Sequence, residues 1–143
     1  SLLGGLAWLT LSRADLIVFV GRFQRCSTFP VLKDVKDMNS VLRWVKRHSF
    51  KTRYAKLTPP LCMCCIGDSA YRADDVDCLA LRANICVLME CRNGIPGGKM
   101  HPIDVCGRKQ TRVNRGTFGA ELNNTLESSE TGMLFVGLYE ERT

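Results

Sequence analysis

The chain changes its hydrophobic period at Thr58-Pro-Pro60. Two adjacent prolines, each without an N–H and each restricting the residue before it, end any regular element at that point. Upstream, apolar residues recur at helical spacing. Residues 2–10 and 14–24 are predicted helices, the second with Leu16, Ile17, Phe19, Val20 and Phe23 on one broad face and Ser12 or Asp15 placed to cap the junction. Thr28-Phe-Pro30 interrupts the pattern. Residues 31–47 resume it, with Val35, Met38, Leu42 and Val45 on one face and Lys36, Arg43, Lys46 and Arg47 mostly elsewhere. The stretch 48–56 sets Phe50 and Tyr54 among Lys51, Arg53 and Lys56; a solvated linker is the plainer reading, contact with a nucleic-acid backbone the sharper one.

Downstream of the prolines the apolar residues come in short continuous runs, 61–66 and 83–91, as expected of strands at a sheet centre. Asp68 closes the first run, where a strand holds an acid rigidly at the edge of a core. The connection 72–82, studded with Asp74, Asp75 and Asp77, is longer than a tight hairpin. Asn93-Gly94 and Gly97-Gly98 tolerate positive φ and predict a looser hairpin into a third strand over 100–106. A basic turn then leads into a helix over 117–141. Thr117 is its expected N-cap, Glu121 lies in its first turn, and Phe118, Leu122, Leu126, Met133 and Val136 fall near one stripe. Taken singly, Asp68 is an ordinary turn aspartate and Glu121 a glutamate favoured by the helix dipole. Taken together, a strand Asp and a helix Glu are the pair that can share a divalent cation. Asp74, Asp75, Glu127 and Glu130 read as solvated charges.

A chain of 143 residues, 45% hydrophobic and 24% charged, can bury a core as one ordinary domain or two small subdomains. Its net charge of +6 makes polyanions the first class of partner to consider. The apolar start is interrupted by Arg13 and Asp15, short of the roughly 18 residues a membrane span needs. Most of the eight cysteines sit inside apolar runs, as small hydrophobes do. Reduced thiols in an intracellular setting are the default, and the cysteines show no repeated C-x-x-C spacing of the kind that zinc requires.

Gly67-Asp68-Ser-Ala-Tyr71, followed after two apolar segments by Arg108-Lys-Gln-Thr-Arg-Val-Asn-Arg-Gly-Thr-Phe-Gly-Ala-Glu121, resembles the ribonuclease H region of copia-type retrotransposon reverse transcriptases. The amino end, Gly5-Leu-Ala-Trp8-Leu-Thr-Leu-Ser-Arg13-Ala-Asp15, resembles that family's connection segment. Ala14, Gly107 and Gly116 depart from the usual proline and serines, the mark of a divergent or decaying copy.

The resemblance implies a helical connection-like segment over residues 1–57 and, over 58–143, an incomplete ribonuclease H-like α/β fold of three antiparallel strands and the first helix. It implies that Asp68 and Glu121 are catalytic ligands of a two-magnesium site completed by acids from later elements of the parent. Arg108, Lys109, Arg112 and Arg115 would then meet the phosphates of an RNA–DNA hybrid. The parent would be a polyprotein with an upstream polymerase part, and the chain alone is expected not to cleave RNA. Two other classes stay open, a non-catalytic basic nucleic-acid-binding module and a zinc-stabilised cysteine-rich protein.

Overall fold

In the computed structural model, which describes residues 1–71 and 79–141, four helices and a three-stranded sheet divide between two compact units, Ser1–Arg53 and Tyr54–Thr143. Among the described residues no helix is long and apolar enough to cross a membrane. The acidic connection holding Asp74, Asp75 and Asp77 lies outside the described residues.

The first unit holds α1 (Leu2–Leu9), α2 (Ile17–Cys26) and α3 (Leu32–Arg47), with a short 3-10 turn at Ala14–Leu16 leading into α2. Its core is Leu6, Leu16 and Val20, with Met38, Val41, Leu42 and Val45 of α3 packed against them. Phe19 and Val35, expected to face inward, are exposed. Asp15 does not cap the helix junction. It accepts from Arg13 Nη2 at 2.6 Å, while Arg13 Nη1 donates to the His48 carbonyl at 2.8 Å and the guanidinium sits over the Trp44 and Phe50 rings. Arg13 is buried, so these partners replace the water it gave up. The hydrogen bond from Arg13 holds the Asp15 carboxyl below its ordinary range.

The second unit is an antiparallel sheet in the order β1 (Leu61–Ala70), β2 (Leu81–Arg92) and β3 (Ile95–Lys109), with α4 (Thr117–Glu140) packed on β1 and β2. Every strand is longer than its apolar run, because inter-strand pairing continues wherever partners are in reach. Asp68 therefore lies within β1, paired with Ala83, and not beyond the strand's end. The β2–β3 turn is tighter than expected: Asn93 (φ 53°) and Gly94 (φ 77°) are its two central residues, and pairing resumes at Arg92 with Ile95. Gly98, at φ 106°, lies beside a register shift, and a Cβ there would stand 2.8 Å from Glu90 Oε2.

The stripe expected on the last helix is reversed. Phe118, Leu122, Leu126 and Met133 are exposed, and α4 turns Ala120, Asn124, Ser128 and Gly132 to the sheet. Small residues four apart let the helix backbone approach the strand closely. A Cβ on Gly132 would lie 2.6 Å from Cys65 Sγ, and one on Gly67 would lie 2.8 Å from Ser128 Oγ. The covered sheet face is correspondingly polar, with Ser69, Arg82, Asn84 and Cys86 all buried. Glu127, read from sequence as a solvated charge, instead forms an ion pair with buried Arg82.

Candidate nucleic-acid interface

Between β3 and α4 the chain must turn with its polar backbone close to the sheet, and buried amides hold it there. Gln110 is 2% exposed; its backbone N–H donates to the Ala80 carbonyl at 2.8 Å and its Nε2 to the Ala120 carbonyl at 2.7 Å. Asn114 Nδ2 donates to Gln110 Oε1 at 2.7 Å and to the Arg112 carbonyl at 3.0 Å, and Asn114 Oδ1 accepts from Asn123 Nδ2 at 2.8 Å. A satisfied buried network of this kind fixes one conformation, since each lost partner leaves a desolvated polar group.

The turn so fixed carries the predicted basic residues. Arg108, Arg112 and Arg115 are exposed; Lys109 is half-buried and already engaged within the chain. Arg108 stands opposite Arg82 in the β2–β3 register, and burial, followed by the nearby charge of Arg108, lowers the Arg82 pKa. Arg82 is held by Glu127, which leaves Arg108 to face outward. Exposed guanidiniums on a rigid turn suit phosphate oxygens, which they can grip through two N–H groups at once.

The two acids sit on different elements, Asp68 within β1 and Glu121 on α4. Gly67 and Ser69 face α4, so strand alternation sends the exposed Asp68 side chain to the opposite face. Glu121 is half-buried on α4, one residue after buried Ala120. Because the helix begins at Thr117, Glu121 lies beyond its first turn, and extended Gly116 is the N-cap in place of Thr117. Among the described residues neither carboxylate makes a side-chain hydrogen bond or ion pair. No group of three or more His, Cys, Asp or Glu side chains capable of holding a metal occurs among the described residues.

The residues that sequence reasoning missed are Gln110, Asn114 and Asn123, whose network shapes the turn, and the Arg82–Glu127 pair behind it. Gln110 and Asn114 stand four apart within the basic motif, and amides among charges were the available signal. No family model, curated protein or solved structure matches this chain.

Proposed function

We propose that this chain is the connection-like segment and the opening β-β-β-α part of a ribonuclease H-like domain from a copia-type reverse transcriptase, and that its own contribution is to grip the backbone of an RNA–DNA hybrid. The observation that carries the reading is the network of buried Gln110 and Asn114 with half-buried Asn123, which presents Arg108, Arg112 and Arg115 on a fixed turn just ahead of α4. The order of three antiparallel strands followed by a helix supports it. Contacts to phosphate position a nucleic acid without reading its sequence, which suits an enzyme that must act along a whole template.

Magnesium-dependent hydrolysis of the RNA strand belongs, in this proposal, to the intact parent, which would bring further oxygen donors and its polymerase part. The chain by itself binds and does not cleave. A second reading, a non-catalytic nucleic-acid-binding module, is favoured by the outward-facing Asp68, since binding alone needs no meeting of the acids. The zinc reading gains no support from the described residues.

Binding of a labelled RNA–DNA hybrid across a salt series tests the proposal. Affinity should fall linearly on a log–log plot, by about 0.9 in slope per phosphate contact as calibrated on duplex DNA. Replacing Arg108, Lys109, Arg112 and Arg115 together by alanine should flatten that slope. An unchanged slope would remove the turn from the interface.

A further inference from the structure

We propose that Cys65 and Cys86 form a modification site, a cross-strand thiol pair that low-molecular-weight disulfides convert into a β1–β2 disulfide. The two residues are direct partners in the antiparallel register, and their sulfurs lie 3.2 Å apart. Directly opposed residues of antiparallel strands have Cα atoms about 4.5 to 5.5 Å apart, inside the range a disulfide spans. Closure therefore requires the sulfurs to approach by only about 1 Å, to the ordinary bond length near 2.05 Å, with no change of strand pairing.

The two thiols are unequally placed. Cys86 is 1% exposed. Cys65 is half-buried and lines a cavity of about 460 Å³ with Met63, Gly132, Met133 and Val136, so a small disulfide has a route to it. The Cys65 thiolate attacks one sulfur of oxidised glutathione, forming a mixed disulfide and releasing glutathione thiolate. Cys86, deprotonated by solvent base, then attacks Cys65 Sγ, forming the protein disulfide and releasing the second glutathione. Two protein thiols are oxidised and one glutathione disulfide is reduced to two thiols, which balances the exchange. Burial, and then Cys65, push the Cys86 thiol up to about 12, so Cys65 is the point of entry and Cys86 the resolving group. Cys62 and Cys91 form the competing pair; their hydrogen bond pushes Cys62 up to about 11.

The test incubates the full chain with excess oxidised glutathione, alkylates the remaining thiols and maps the peptides with fragmentation that resolves Cys62, Cys64 and Cys65. The expected product is a Cys65–Cys86 link, reversed by dithiothreitol, with the loss of two titratable thiols. C65S should abolish the link, C86S should stop at glutathione on Cys65, and C62S should leave it intact, with circular dichroism confirming that each variant folds. A link at Cys62–Cys91 or Cys106, a stable glutathione adduct on Cys65 of the unsubstituted chain, or no reaction would each overturn the proposal. The unsubstituted chain decides the matter even if a variant fails to fold.

Discussion

Asn114 and Gln110 are joined amide to amide across 2.7 Å, both almost wholly buried, four residues apart in a turn that also carries the exposed Arg112 and Arg115. Asn114→Ala removes one side of the network and leaves Gln110 Oε1 and Asn123 Nδ2 unpaired, a loss of about 1 to 3 kcal/mol. Urea unfolding should show it as a lower midpoint at unchanged slope. Hybrid binding should weaken in the same variant although no charge is altered, because Arg112 and Arg115 lose their fixed support.

The glycine seat of α4 gives a second prediction. Alanine at position 132 gains about 1 kcal/mol of helix propensity but sets a methyl group 2.6 Å from Cys65 Sγ. Overpacking of that kind costs about 1 to 3 kcal/mol, so G132A should be destabilising on balance. Cys65→Ala in the same chain should return most of the loss, a coupling that a double-mutant cycle measures.

Glu90 should be one source of acid sensitivity. It accepts from the Thr58 N–H at 3.0 Å and the Lys99 N–H at 3.4 Å, and these hydrogen bonds, Thr58 first, hold its pKa below the ordinary 4.5. A depressed carboxylate stabilises the fold above its unfolded pKa, and that contribution is lost as pH falls through the folded value. E90Q should therefore be less stable than the unsubstituted chain at neutral pH. Below about pH 4.5 the difference should shrink, which thermal unfolding across a pH series would show.

Asp68 points away from α4, so D68N should leave hybrid binding unchanged or slightly stronger, through one fewer negative charge near the backbone. No cleavage of a hybrid should appear in magnesium with the chain alone. Product in a gel assay, abolished by D68N, would refute this.

Element types were legible because period is a strong signal. Residues 31–47 read as an amphipathic helix, and α3 runs Leu32–Arg47; the apolar runs 61–66 and 83–91 both lie inside strands. Strand ends were not legible, because Gly67 to Ala70 and Leu81 to Arg82 are held by pairing partners and carry no hydrophobic pattern of their own. The inward face of α4 was misread for a related reason: hydrophobicity marks which side chains prefer burial, whereas Gly67 and Gly132 mark where two backbones can touch. The basic cluster was visible as charge, but the amides that hold it are polar residues in a polar stretch and gave little contrast. Facing of the acids depended on strand phase, which shifts with a single residue.

That inversion of α4 bears on how the chain behaves as a substance. With Phe118, Leu122, Leu126 and Met133 on its outer side, the helix presents water with a greasy ridge. Solubility should accordingly drop steeply with concentration, and a mild detergent or an environment-sensitive dye should find that ridge before it finds anything in the interior.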